Sequence, residues 1–276
     1  MQKVSEIITS RQNPLVVLAA GLAERKVRRR EGMFRFDGKK LFREALLSRL
    51  PLHAVLLREG NADAILDFVS DLTLPDGVRA VLLPDALFDR ISEENAPEGV
   101  ICISKTLDKI HKIVTIDKSA PDACAIPVGK TLLLESVRDP GNLGTIIRSA
   151  SAFGVQNLVL SSDCADLYNP RTIRAAMGTL FSQHVYFAED LVSVITALRM
   201  RGRVFAAALC EDAARLGEVR FGENDAALVG NEGHGLSAAA LQACTDTLYI
   251  PMAGGVESLN AGVAASVILW EFYRGQ

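Results

Sequence analysis

The chain has 276 residues, 49% hydrophobic and 23% charged, with a net charge of −3, which describes a soluble globular protein long enough for two domains. No apolar stretch reaches the roughly 18 residues of a membrane span, so no membrane partner is expected. Five cysteines, Cys102, Cys124, Cys164, Cys210 and Cys244, form no CxxC pair, which argues against a disulfide framework or a zinc site and for reduced thiols in the cytoplasm.

Charge is unevenly spread from the first residues on. In residues 1–49 twelve Lys or Arg stand against five Asp or Glu, a balance of +7 that leaves −10 on the remainder. The run "ERKVRRREG" is either a solvated helix face or a phosphate-contacting surface. No secretion-signal core precedes it, and its likeness to a transit peptide is set aside because "ITSRQNP" reads as part of the fold. "MFRFDG" then predicts a strand ending at Gly38, and "KKLFREALLSRL" an amphipathic helix. "LHAVLLRE", "VRAVLLP" and "GVICIS" predict further strands. Between them lie a helix "NADAILDFVS" capped by Asn61 and a short helix "DALFDRIS" capped by Asp85. This alternation predicts a small α/β/α domain over residues 1–115, and the proline-bearing "DKSAPDACAIPVG" a linker over 116–129.

A second α/β series occupies residues 130–276. Its strands are "TLLLE", "NLVLS", "QHVYF", "RVFAAAL", "AALVG" and "TLYIP", with helices near 143–153, 170–180, 190–201 and 236–243 and a closing helix. Such a series predicts a mainly parallel, doubly wound sheet, whose ligands lie beyond the carboxyl ends of the strands. Three of those ends carry unusual residues. The first, "ESVRDPGNLGTIIR", turns at "RDPGN" and offers Asn142 as a helix cap and Arg148 further along the helix. It contains neither GxGxxG nor GK[ST], so it is neither a dinucleotide fingerprint nor a phosphate loop. The second, "VGNEGHGLS", has three glycines in six residues at a strand end, with Glu232 where a ligand would lie; His234 reads as a turn residue. The third, "YIPMAGGVESLN", leads into a nearly uniformly apolar helix that is expected to be buried on several sides, with Ser258 reading as its N-cap.

Together, in order and in spelling, these stretches resemble the three motifs of the SpoU/TrmH branch of the SPOUT RNA methyltransferases. Asn142, Gly144 and Arg148 match the first, Gly230 to Leu236 the second, and Ile250 to Met252 with Ser258 to Asn260 the third. "YNPRTIRAAMGTLF" is similar to the segment between them. The N-terminal part is similar to a ribosomal-protein-like substrate-binding domain.

The resemblance implies a C-terminal SPOUT domain with a deep trefoil knot, a feature that pattern rules alone would not suggest. It implies S-adenosylmethionine held by Gly230, Ile250 and Leu259, with catalysis assigned to Arg148, Asn142, Glu232, Ser258 and Asn260. It further implies a homodimer whose active site is completed across the interface, with the first-motif helix and the closing helix as candidates for the two-fold contact.

The implied reaction is 2′-O-methylation of RNA, ribosomal RNA before tRNA. Arginine is a poor base, so Arg148 reads first as a phosphate clamp and second as a proton acceptor. Arg28, Arg29, Arg30, Lys39 and Lys40 are the candidate RNA phosphate contacts. Two rival readings are a non-catalytic RNA-binding protein on the same fold and a Rossmann-type nucleotide enzyme. The intact motif residues argue against the former and the missing fingerprint against the latter.

Overall fold

The computed structural model describes residues 6–108, 111–115, 126–155, 157–231, 233–255 and 258–274. It divides into two compact units: residues 1–107 with Asp166–Phe181, and residues 108–165 with 182–276. Most of the expected linker, 116–125, lies outside the described residues.

The first unit is built on five strands, β1 (Glu6–Ile7), β2 (Met33–Asp37), β3 (Leu52–Arg58), β4 (Arg79–Leu83) and β5 (Val100–Lys105), in the order β1-β4-β3-β5-β2. The β3–β4 and β1–β4 pairs are parallel, and β5 runs antiparallel to both β2 and β3. Its helices are α1 (Pro14–Gly21), α2 (Arg25–Glu31), α3 (Lys39–Leu47), α4 (Ala62–Phe68), α5 (Asp85–Ile91) and, from later in the chain, α7 (Pro170–Ala176). Asn13 caps α1 by accepting from the Leu15 N–H at 2.9 Å, and Pro14 occupies the first helical position, where no N–H is needed.

Two expected caps in this unit are corrected. Asn61 does not cap α4, because its Oδ1 accepts from Arg58 Nη1 at 2.9 Å. Asp85 sits inside the first turn of α5, behind Pro84, and accepts from the Gly60 N–H at 3.0 Å. A charge also lies in the core: Arg35, 1% exposed, pairs with Asp37 at 2.6 Å and donates to the carbonyls of Ala19 at 3.0 Å and Ile91 at 2.8 Å. Those bonds satisfy a guanidinium that is otherwise costly to bury.

The second unit carries eight strands: β6 (His111–Val114), β7 (Thr131–Leu134), β8 (Asn157–Ser161), β9 (His184–Ala188), β10 (Val204–Ala207), β11 (Ala214–Arg215), β12 (Ala226–Val229) and β13 (Asp246–Tyr249). Their order is β11-β13-β10-β12-β7-β8-β9-β6, and every neighbouring pair is parallel. The central strands β7 and β12 are buried at every position, as strands covered on both faces must be, which is why they read as unbroken apolar runs. The helices are α6 (Pro140–Ala152), α8 (Leu191–Arg199), α9 (Ala238–Ala243) and α10 (Ala261–Arg274). Among the described residues no helix is long and apolar enough to cross a membrane.

Two further caps differ from expectation, and both bear on the site. Asp139, not Asn142, caps α6, accepting from the Asn142 N–H at 2.8 Å. Asn260, not Ser258, caps α10, its Oδ1 accepting from the N–H groups of Gly262 at 2.9 Å and Val263 at 3.2 Å. α10, expected to be buried on several sides, buries Ala261, Gly262, Ala265, Ile268, Leu269 and Phe272 and leaves Val263, Trp270 and Tyr273 47%, 45% and 50% exposed.

Candidate active site

Strand sequence and strand position part company at the centre of the second sheet. β7, β8 and β9 follow one another outward to one side, while β12 and β10 lie on the other. A reversal of this kind opens a crevice beyond the carboxyl ends of the strands. Here the crevice is a pocket of about 360 Å³, lined by the ends of β10, β12 and β13 and by the start of α10.

Gly230, Ile250, Ser258 and Leu259 all line this pocket, so the second and third motif stretches converge on it. Gly230 is glycine for a reason internal to the loop. A Cβ there would stand 2.6 Å from the carbonyl carbon and oxygen of Gly235, which the backbone cannot accept. Gly235 itself has φ +67°, the left-handed region where glycine is unstrained. Most of the lining residues are aliphatic or small, with Asn231, Tyr249 and Ser258 among them. A concave, mostly apolar pocket of this size is of the kind that takes a small organic ligand.

The first motif enters from α6. Asn260 Nδ2 donates to Asn142 Oδ1 at 2.9 Å, so the residue that caps α10 also fixes the first-motif asparagine. α6 and α10 lie close together here. A Cβ on Gly262 would be 3.4 Å from Thr145 Cγ2 and 3.5 Å from Asn142 Oδ1. One turn on, Ser266 donates to the Gly262 carbonyl at 2.7 Å and shares a 2.7 Å hydroxyl contact with Ser149. Arg148 is exposed on α6, roughly 9 Å along the helix axis from Asn142, and is not among the residues lining the pocket. Glu232 lies outside the described residues.

Beyond β7 and β8 stands a polar cluster that the sequence did not single out. Asp163 accepts from Arg138 at 2.8 Å and from the Ser136 hydroxyl at 2.6 Å, and these two partners hold its carboxyl down to about 2. The thiols offer no nucleophile in the core. Burial raises Cys102, Cys164 and Cys244, the last to about 11.

The basic residues of the first unit divide. Arg28 is corrected: it is 4% exposed, donates to the Leu22 carbonyl at 2.9 Å and pairs with Asp166 at 2.6 Å, so it is not presented to a phosphate. Arg29, Arg30 and Lys40 are exposed, with Arg30 beside Glu31 at 2.7 Å. Lys39 is half-buried, its ammonium 5.5 Å from the centre of the Phe68 ring.

Two lining residues that the motifs did not include are Leu209 after β10 and Tyr249 at the end of β13. "IPM" signals Met252 once the third motif is seen, but "FAAAL" carries no polar or glycine signal, and only the strand order brings its end to the pocket.

Comparison with known proteins agrees with this architecture. Residues 129–270 match the SpoU rRNA Methylase family, and residues 7–102 match the MRM3-like substrate binding domain. The chain is 31% identical over 264 residues to the Bacillus subtilis 23S rRNA (guanosine(2553)-2′-O)-methyltransferase RlmP, covering 95% of this chain and 97% of that one. It is 30% identical to the 23S rRNA (uridine(2479)-2′-O)-methyltransferase of Streptomyces viridochromogenes, over 97% of this chain and 91% of that one. Among solved structures, the SpoU methyltransferase AviRb from Streptomyces viridochromogenes in complex with AdoMet superimposes with a TM-score of 0.75 at 26% identity, covering 95% of this chain and 98% of that one.

Proposed function

The chain belongs to the SpoU rRNA methylase family, and we propose that it transfers the methyl group of S-adenosylmethionine to a ribose 2′-hydroxyl of ribosomal RNA. The observation that carries this reading is the convergence of the second and third motif stretches on one pocket, with Asn142 of the first bonded to Asn260 of the third beside it. The cofactor supplies a sulfonium-bound methyl group, already a good electrophile. The chain's task is then to hold the hydroxyl in line with it and to let the hydroxyl proton leave.

Gly230, Ile250 and Leu259 are read as the cofactor grip, because all three line the pocket. Arg148 stays protonated and is read first as the clamp on the target phosphate and second as a proton acceptor. Asn142 and Asn260, and with them Ser258 and Glu232, are read as the groups that orient the ribose. One relative's name specifies guanosine and the other uridine. A shared site is therefore read as gripping ribose and phosphate, common to both, while the base is selected elsewhere. The first unit supplies a docking surface for RNA, with the exposed Arg29, Arg30 and Lys40 as phosphate contacts.

The reading extends to a homodimer joined through α6 and α10. Arg148 stands outside its own chain's pocket, and α10 exposes Val263, Trp270 and Tyr273, the last two stacked around Phe153 at 5.7 and 6.0 Å. It also extends to a trefoil knot around the pocket, a reading supported by a strand order that interleaves β12, β10 and β13. The reading places the protein in the cytoplasm, in line with the bacterial relatives that it resembles.

The test is methyl incorporation into ribosomal RNA from cells lacking the protein, with the modified nucleotide mapped. Arg148→Ala is expected to lose transfer by about a hundredfold or more while S-adenosylmethionine binding, measured by calorimetry, survives. A variant that still methylates would remove Arg148 from the chemistry.

A further inference from the structure

Asn231 directly follows Gly230 and lines the pocket. Its backbone exchanges both hydrogen bonds with Gly235, N–H to O at 3.2 Å and O from N–H at 2.9 Å, which pinches the stretch between them into a closed loop. Within that loop Asn231 Oδ1 accepts from the N–H of Gly233 at 2.8 Å and of His234 at 3.3 Å. The other end of the same amide leaves the loop. Nδ2 donates to the carbonyl of Ser136 at 2.8 Å, across 95 residues of sequence and from the end of β12 to the end of its neighbour β7. The partners fix the amide's orientation: two N–H donors demand the oxygen and a carbonyl demands the nitrogen.

The far end of this bond is itself held. Ser136 has φ +56°, a left-handed conformation that a non-glycine residue keeps only when its surroundings over-determine it. Its N–H donates to Ser161 Oγ at 2.9 Å and its hydroxyl to Asp163 at 2.6 Å. With the carbonyl taken by Asn231, each polar group of Ser136 is engaged. Three residues later Asp139 caps α6, which carries Asn142 and Arg148.

We propose that Asn231 is a positioning residue, a strut whose amide sets the separation between the loop lining the cofactor pocket and the start of α6 that bears the acceptor-side groups. The inference rests on the methyl-transfer reading above and adds the side chain that joins the two halves of the site. Neither a carboxylate nor a small side chain replaces it: the first has only acceptors, and the second does not reach.

Asn231→Asp separates the strut from the loop closure. It keeps the acceptors for Gly233 and His234 but sets a carboxylate oxygen against the Ser136 carbonyl. In the full-length protein its turnover at saturating S-adenosylmethionine is expected to fall roughly tenfold or more, while the dissociation constant for that cofactor stays within about threefold of wild type. Asn231→Ala, which loses both functions, is expected to weaken cofactor binding as well. Wild-type turnover in Asn231→Asp would overturn the strut. So would a loss of cofactor affinity in Asn231→Asp equal to that in Asn231→Ala, since Asn231 would then only close its loop. Should Asn231→Ala not fold, the Asn231→Asp turnover and affinity decide alone.

Amide hydrogen exchange across Ser136–Asn142 is read in parallel. Faster exchange in Asn231→Asp than in wild type supports the strut, and equal rates overturn it. If the wild-type protein methylates no ribosomal RNA, the methyl-transfer reading fails and exchange still decides the strut.

Discussion

At the scale of the residue, a side chain's surroundings, not its chemical type, decide what the basic run does. Arg28, Arg29 and Arg30 are adjacent and chemically identical, yet only Arg28 turns inward to the Leu22 carbonyl and Asp166. α2 is seven residues of almost pure charge, so no apolar stripe gives its phase, and the partner of Arg28 is 138 positions away. The consequence is measurable. Arg28→Ala removes the nearer guanidinium from Asp166, which keeps Arg25 at 4.0 Å and the Tyr168 N–H at 3.1 Å, and is expected to destabilise the protein by about 1–3 kcal/mol. Charge reversal at Arg29, Arg30 and Lys40 is expected to leave urea unfolding unchanged while lowering RNA affinity and flattening its dependence on salt. A stable Arg28→Ala protein with weakened RNA binding would return Arg28 to the RNA surface.

At the scale of the element, α6 and α10 show how a cap and a site are built from one side chain. Asn260 Oδ1 ends the first turn of α10, and its Nδ2 holds Asn142. The sequence offered Ser258, a good capping residue type, two positions too early. Which polar residue caps depends on where the preceding segment delivers the chain, and Ser258 and Leu259 there line the pocket wall. Asn260→Asp keeps the acceptor for Gly262 and Val263 and places a negative charge at a helix N-terminus, where it is tolerated. Its melting temperature is therefore expected to match wild type. Methyl transfer is expected to fall by about tenfold, because the donor to Asn142 is gone. Asn260→Ala, lacking both, is expected to lose about 1 kcal/mol of stability as well. Full activity in Asn260→Asp would show that Asn142 needs no such anchor.

At the scale of the whole molecule, the exposed face of α10 is the feature that a single chain leaves unexplained. Val263, Trp270 and Tyr273 give a contiguous apolar and aromatic surface beside Phe153. Trp270→Glu is expected to yield monomers in sedimentation and to lose methyl transfer with the fold retained; a dimer that persists in this variant would move the interface elsewhere.

Sequence by itself determined the α/β class, most of the strands of both sheets and the three motif stretches at strand ends. Each of these rests on signals within one element: an apolar run, a helical period, glycines beside polar residues. It missed α1, which is uniformly apolar, and the short edge strands β1, β6 and β11, because none has a period to read; the helix of the basic run it offered only as one of two readings. Tertiary structure alone decided that Asp166–Phe181 groups with the first unit, where the rings of Tyr168 and Phe34 lie 4.6 Å apart. It alone decided that the end of β10 joins the pocket, that Asn260 caps α10, and that Asn231 reaches Ser136. The reason is range: hydrophobic period and turn chemistry act over a few residues, whereas these contacts join positions that become neighbours only once strand order is set.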